Sequence, residues 1–375
     1  MQENQYYSYN LGPLPKGCQM CVRGEKLVLF VTGICPRKCS FCPVSDEKYQ
    51  HDVIFANERS VTATEDLLKE AEAMKAKGAG ITGGDPLAKL ERTLGYIKLL
   101  KQKYGSHFHI HLYTSLDLVT EETLQRLAEA GLDEIRFHLE LESDTLWKRV
   151  ELAKKHSWDI GVELPLIPGK DYTKVVDFIH DKVNFLNLNE LEVADNSQSQ
   201  LLKLGSEVKD ELSYAVKGSV EVGLELLRYI QDKKYSFSVH VCTAKLKDAV
   251  QLGNRLKREA KYSKREFDQV DEEGLLTRGA LYLPELAPGF SYREKLAQAD
   301  KTMLLEKLKP LYTQIRKELK LHERIIYVDE QKVRILLSKK NVQKNLKLWA
   351  ALQLQAAIVS EYPTADQLEI EVELL

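Results

Sequence analysis

Several absences narrow the class of this 375-residue chain. It has no run of 18 apolar residues, so no membrane-spanning helix is expected. The opening Met1-Gln-Glu-Asn-Gln-Tyr-Tyr lacks the basic and apolar regions of a signal peptide, so the expectation is a soluble, cytoplasmic protein that touches no membrane. An excess of one charge is missing too. With 54 basic and 56 acidic residues the net charge is −2, and a nucleic-acid surface would have to be a local patch. Repeats and low-complexity segments are absent. Cysteine is scarce, six in all, yet five of the six fall within residues 18–42. Such crowding excludes a dispersed disulfide framework and speaks for metal binding.

What is present is alternation. From residue 27 to Ala194, apolar β-branched runs at 27–33, 78–82, 107–114, 133–139, 159–164 and 184–193 read as six strands. Amphipathic helices separate them. One starts at the capping box Thr62-x-x-Glu65 and runs to Lys77, another spans Leu90–Tyr104, and a third is capped by Thr120 and stops at Gly131. Two more follow Ser143 and span Asp171–Asp181. Strands linked by helices predict parallel pairing with right-handed crossovers, and chemistry at the carboxyl ends of the strands. Periodicity alone does not separate a barrel from an open doubly wound sheet. After Ala194 come a polar loop (195–203), a helix (216–232), a strand (236–242) and a basic helix from Thr243 to Arg265. Strands at 274–283, 324–337 and 367–374, with helices at 301–319 and 342–361, complete a small α+β domain. The expected division is residues 1–25, 26–243 and 244–375.

The first strand ends at Gly33 and opens into Cys35-Pro-Arg-Lys-Cys39-Ser-Phe41-Cys42, a C-x3-C-x2-C loop. Three thiolates within eight residues suit one soft metal centre and leave one position of a cubane cluster without a protein ligand. A three-cysteine zinc site and plain buried thiols are the alternatives. The second strand ends in Thr82-Gly83-Gly84-Asp85-Pro86, where two glycines permit close backbone approach and a carboxylate can meet an ammonium group. Gly17-Cys18-Gln-Met-Cys21-Val-Arg-Gly24 has the form of half a zinc knuckle. His240 and Cys242, two apart on a strand, are candidates for the other half, and the metal there is zinc or a second Fe–S cluster. A core thiol is the alternative for Cys242. His107, His109 and His111 alternate on one strand face. Arg258, Lys261 and Arg265 line one face of the basic helix, where they either meet solvent or neutralise phosphates.

The cysteine loop, following a strand and with Phe41 before its last cysteine, resembles the cluster motif of the radical S-adenosylmethionine (radical SAM) superfamily. This resemblance covers residues 25–195. It implies a partial (β/α)6 TIM-like barrel, with an N-terminal cysteine knuckle and the α+β domain appended. It also implies a [4Fe–4S] cluster on Cys35, Cys39 and Cys42, with S-adenosylmethionine chelating the fourth iron. Gly83, Gly84, Asp85 and Pro86 take the place of the segment that binds the cofactor's amino group, with Asp where Glu is commoner. Thr114, Ser115, Arg136, His138 and Glu163 occupy strand ends that contact the cofactor in the superfamily. The implied reaction is reductive cleavage of the cofactor and hydrogen abstraction, fed by a flavodoxin- or ferredoxin-like one-electron donor. The compact core is most similar to pyruvate formate-lyase activating enzymes and the tRNA wybutosine-pathway synthase, so the expected substrate is a macromolecule, tRNA or protein. A non-catalytic zinc- or Fe–S-binding protein, acting on nucleic acid or in electron transfer, is the other class that fits the cysteines.

Overall fold

The apolar runs of the first two-thirds of the chain pair side by side. The computed structural model describes residues 2–375. It opens with β1 (Tyr9–Leu11), α1 (Lys16–Val22), β2 (Lys26–Phe30) and the small hairpin β3 (Phe55–Ala56) and β4 (Arg59–Ser60). Strands and helices then alternate through α2 (Thr64–Ala73), β5 (Gly78–Thr82), α3 (Leu90–Tyr104), β6 (His109–Ser115), α4 (Glu121–Ala130) and β7 (Glu134–His138). They continue through β8 (Asp159–Leu166), α5 (Thr173–Ile179), β9 (Phe185–Glu190), α6 (Ser219–Asp232) and β10 (Ser238–Cys242). Strands β2, β5, β6, β7, β8, β9 and β10 are parallel and adjacent in that order. Antiparallel β3–β4 extends one edge and antiparallel β1 the other. The two edges do not pair with each other, which makes a partial (β/α) barrel.

The pattern predicts six parallel strands, and the structure adds β10 as a seventh. Its connection from β9 runs through a long loop and α6, so the short-link signature of a βα unit is missing. Residues 147–155 form 3₁₀ turns where a helix is expected after Ser143.

Period two divides each strand. Leu27, Leu29, Ile81, Ile110, Leu112, Ile135 and Phe137 are wholly buried on the helix side. The inner face is polar, with Lys26, His109, His111, Glu134, Arg136, Glu163 and Asn187. His107 precedes β6 and is exposed, so two of the three alternating histidines share the lumen. The helices are set by local signals. Thr120 Oγ1 accepts the Thr123 N–H at 3.1 Å, Gly131 closes α4 at φ 98°, and Leu124 and Leu127 are buried between them. At α2 the cap differs from the expected box. Asp66, not Glu65, accepts from Thr62 N, Thr62 Oγ1 and Ala63 N at 3.0–3.2 Å, so the helix starts at Thr64.

One compact unit ends at Arg255, and Leu256–Leu375 form a second. The basic segment is a π-helix over Leu246–Leu252 followed by α7 (Gly253–Ser263), which leaves Arg265 outside it. The Arg265 guanidinium lies 3.1 Å from the centre of the Tyr327 ring, so the expected three-residue basic face is not continuous. The second unit contains β11 (Gln269–Val270), β12 (Leu276–Tyr282), α8 (Tyr292–Gln298), α9 (Lys301–Glu318), β13 (Ile326–Asp329) and β14 (Arg334–Leu337). It ends with α10 (Lys339–Lys344), α11 (Leu346–Ala351), β15 (Gln355–Glu361) and β16 (Glu369–Leu374). Its antiparallel sheet runs β13-β14-β12-β15-β16, with β11 on β12. The helix expected over 342–361 is thus two short helices and a central strand. Ala357–Val359 pair with β12 on one side and β16 on the other, and tertiary pairing overrides the helical propensity of alanine. Among the described residues no helix is long and apolar enough to cross a membrane.

Candidate active site

The carboxyl ends of the parallel strands meet around a loop. After β2 the chain leaves the sheet, carries Cys35, Cys39 and Cys42, and returns at β3. Its neck is tightly pinned. Gly33 N–H donates to His51 O at 2.9 Å and Gln50 N–H to Gly33 O at 3.0 Å. A Cβ on Gly33 would lie 1.5 Å from Lys48 O, so no other residue fits. Asp52 ties the neck to α3, accepting from Thr32 Oγ1 at 2.9 Å and from both Arg92 Nη atoms at 2.6 and 3.1 Å. The Arg92 guanidinium holds its carboxyl well below the usual range. On the far side Asn196 Nδ2 donates to Cys42 O and Val44 O at 3.0 and 2.9 Å, and Arg37 Nη1 to His138 O at 3.1 Å.

The three cysteines are free, half-buried, and line a cavity of about 800 Å³. Phe41, Gly83, Gly84, Thr114, Ser115, Arg136, His138 and Glu163 line the same cavity, as does Cys21. The sequence reading thus brings together residues from six segments. Burial pushes the Cys35 thiol up to about 11 and raises Cys39 and Cys42 too, so each carries its proton in this fold.

Gly83 and Gly84 seat the end of β5 on the cysteine loop. Gly84 N–H donates to Thr32 O at 2.7 Å and Asp85 N–H to Ile34 O at 2.9 Å. A Cβ on Gly84 would fall 2.5 Å from Ile34 O. Asp85 behaves differently from expectation. Its carboxylate is fully buried and faces the protein rather than an ammonium group. Oδ1 accepts from Leu87 N and Thr114 Oγ1 at 3.0 and 2.8 Å, and Oδ2 from Ser115 N and Ser115 Oγ at 3.0 and 2.6 Å. Asp85 therefore clamps the end of β5 to the end of β6, and Pro86 starts the 3₁₀ turn behind it. An Asp85→Asn protein is expected to lose about 2–4 kcal/mol of stability without any ligand, because its amide presents a donor to donors. Chemical denaturation measures this; an unchanged midpoint would mean that the clamp contributes nothing.

The floor of the lumen is a buried charge network. Arg136 Nε donates to Glu134 Oε1 at 2.6 Å, and Nη1 to Glu163 Oε2 at 2.8 Å and Tyr113 OH at 3.2 Å. Lys26 Nζ donates to His109 O at 2.6 Å and lies 2.7 Å from His109 Nδ1. Helix α1 closes this end. Its Gly17 N–H donates to Glu134 Oε2 at 3.0 Å, and a Cβ there would sit 2.6 Å from Arg136 Nη2. Burial lowers His109 to about 2 and His138 to about 3, so both are neutral in the fold. Unfolded, each takes a proton near pH 6.5. The unfolded state then binds more protons, and stability is expected to fall as pH drops from about 6.5 towards 3. Melting temperatures across that range check the direction.

Cys18, Cys242 and His240, the candidates for a second metal site with Cys21, each contact other side chains. Cys18 Sγ receives Arg136 Nη2 at 3.4 Å and faces Asn187 Oδ1 at 3.8 Å. His240 has one ring nitrogen 2.7 Å from Asn187 Oδ1 and the other 3.3 Å from Ser8 Oγ. Cys242 Sγ accepts from Gln251 Nε2 at 3.8 Å. Asn196, Asp52 and Glu134 carry structural weight that the sequence reading missed. Asn196 and Asp52 reach partners 20 to 154 residues away, and Glu134 ties its neighbour Arg136 to Gly17, 117 residues away.

Residues 29–181 match the model of the Radical SAM superfamily. Over 288 residues the chain is 40% identical to a Methanocaldococcus jannaschii protein provisionally named a glycyl-radical enzyme activating enzyme, spanning 74% of this chain and 76% of that one. The chain belongs to the radical SAM superfamily. It is also 30% identical over 124 residues to a biotin synthase of Shewanella pealeana, covering 32% of this chain and 33% of that enzyme. A structure of Streptococcus suis SuiB bound to S-adenosylmethionine aligns at 14% identity and TM-score 0.41, over 67% of this chain and 59% of that one.

Radical SAM enzymes use a [4Fe–4S] cluster and S-adenosylmethionine, and this chain is an iron–sulfur enzyme of that kind. Its donor set fits the pair. Three free soft thiols share one loop without a fourth cysteine, and they open onto a cavity with room for a nucleoside-sized ligand.

Proposed function

We propose that Cys35, Cys39 and Cys42 hold the cluster and that S-adenosylmethionine lies along Gly83, Gly84, Thr114, Ser115 and His138. The enzyme then takes a hydrogen atom from a protein substrate. When bound and reduced, a [4Fe–4S] cluster held by these three cysteines would supply the electron for reductive cleavage of S-adenosylmethionine, the source of the hydrogen-abstracting radical. The observation that carries this reading is that the cysteine loop and the Gly83–Gly84 turn line one cavity.

The protein's own work is positional. The Gly33 neck fixes the loop. Asp85 fixes Thr114 and Ser115, and with them the cavity wall. Arg136 and Glu163 present a polar floor, already paired, that holds its shape. Phe41 and His138, with ring centres 5.7 Å apart, stand between this cavity and a second of about 1070 Å³.

The M. jannaschii relative's name favours a protein substrate and, with it, an external one-electron donor. The second cavity supports this. It is lined by Leu116, Trp147, Ile167 and Val216; six of the charges on its wall pair as Arg37–Glu140, Lys170–Glu142 and Lys217–Glu207, and Lys38 and Asp117 add one of each sign, so the wall carries no net charge. Such a wall suits an uncharged peptide segment.

The test is electron paramagnetic resonance on the reduced, loaded enzyme mixed with a glycyl-radical enzyme from the same source. A protein radical that grows in step with 5′-deoxyadenosine supports the reading. Cleavage with no protein radical contradicts activation of that protein.

A further inference from the structure

The last strand of the second unit has a free edge. β16 stands at the end of the order β13-β14-β12-β15-β16 and pairs with β15 alone. Its outer N–H and C=O groups therefore have no strand partner among the described residues. A bulge between Ser360 and Glu361 disturbs its start, but Glu371–Leu374 keep a regular antiparallel register on β15. By period two, Val372 and Leu374 share one face, and Glu371 and Glu373 share the other. Val372 and Leu374 are 37% and 54% exposed although apolar. They line a groove of about 450 Å³ together with Pro288, Gly289, Ser291 and Tyr292. Arg293 and Glu294 add one charge of each sign to this groove, and Glu369 there is held by Lys332. Phe290, in the same loop, is 95% exposed. Glu371 and Glu373 are exposed as well, and neither forms an ion pair among the described residues.

We propose that the free edge of β16 takes up, as an added strand, an extended segment of another protein in which apolar residues alternate with lysine or arginine. In this mode the backbone edge supplies the pairing, and alternate side chains select what pairs. Apolar side chains of the added strand meet the Val372 and Leu374 face and the groove beside it. Its basic side chains stand on the other face, across from Glu371 and Glu373, where opposite charges on paired strands attract. The sign of those charges also decides what stays off. A phosphate backbone or an anionic membrane is repelled. A second copy of β16 is disfavoured too, since antiparallel pairing about Val372 or Glu373 sets glutamate against glutamate. Lysine is a usual guard of a free edge, and this strand carries none. The proposal does not rest on the reaction proposed above.

The test is fluorescence anisotropy with the full-length protein and a short labelled peptide that alternates lysine and valine. This peptide should bind, and its counterpart alternating glutamate and valine should not. Methylating every backbone amide of the basic peptide keeps its charge but removes its strand donors, and should abolish binding. Glu371→Lys with Glu373→Lys should weaken the basic peptide about tenfold, the worth of two exposed ion pairs, and should bind the acidic peptide instead. That gain cannot arise from misfolding. No binding of the basic peptide, equal binding of the acidic one, binding that survives methylation, or binding indifferent to the charge reversal would each overturn the proposal. So would a dimer in sedimentation that Val372→Lys dissolves, because the edge would then belong to a second copy.

Discussion

A Gly33→Ala protein is expected to fold its sheet and lose its iron–sulfur centre. The added Cβ would fall 1.5 Å from Lys48 O and 2.7 Å from His51 O, and both obstacles are backbone. A flexible side chain could swing away, but a backbone carbonyl in a pinned neck cannot. Relief requires opening the hydrogen bonds between Gly33 and residues 50 and 51, which hold the ends of the cysteine loop together. Overpacking of this kind costs about 1–3 kcal/mol, and more where backbone must move. The cost falls on the loop because the strands behind it do not touch the new atom. Iron content after anaerobic reconstitution should drop to a small fraction of the unaltered protein's, while far-ultraviolet circular dichroism stays the same. Full iron loading would show that the neck does not shape the site.

The second large effect is on stability. Arg136 is 2% exposed and joins Glu134, itself fully buried, to Glu163 and Tyr113. Arg136→Met keeps most of the volume but leaves Glu134 without its cation. The Gly17 N–H at 3.0 Å remains, and His109 Nε2 at 3.6 Å is neutral, so neither replaces the lost cation. Removing one partner of a buried ion pair costs about 3–5 kcal/mol. A double variant, Glu134→Gln with Arg136→Met, should recover part of the stability. A double variant no more stable than Arg136→Met alone would contradict the account of an orphaned carboxylate.

The site was legible in the sequence where its parts are local. Cys35, Cys39 and Cys42 lie within one loop, and Gly83–Gly84 follows one βα unit later, so spacing carried both. Asp85 was legible as a site residue but not in its role. A carboxylate after two glycines looks the same whether it faces a ligand or Thr114 and Ser115, and those partners come 29 and 30 residues later. The fold was legible as alternating strands and helices through β9. Strand β10 was visible as a strand but not as a barrel member, because a loop and α6 break the rhythm before it. Residues 355–361 went astray because an alanine-rich apolar run has no period that separates a buried strand from a helix. The Cys18–Cys21 pair shows the same limit. Its spacing suggests half a metal site, and only the packing of α1 against Arg136 and the lumen shows what surrounds each sulfur.

The central claim is that the Cys35–Cys42 loop makes this chain a cofactor-cleaving enzyme. It is tested most directly by reconstituting the protein anaerobically with iron and sulfide, adding S-adenosylmethionine and dithionite, and measuring 5′-deoxyadenosine by mass spectrometry beside a Cys39→Ala control. The account predicts product from the unaltered protein and none from the control. Tight binding of zinc alone at the loop, with no cleavage by either protein, would contradict it.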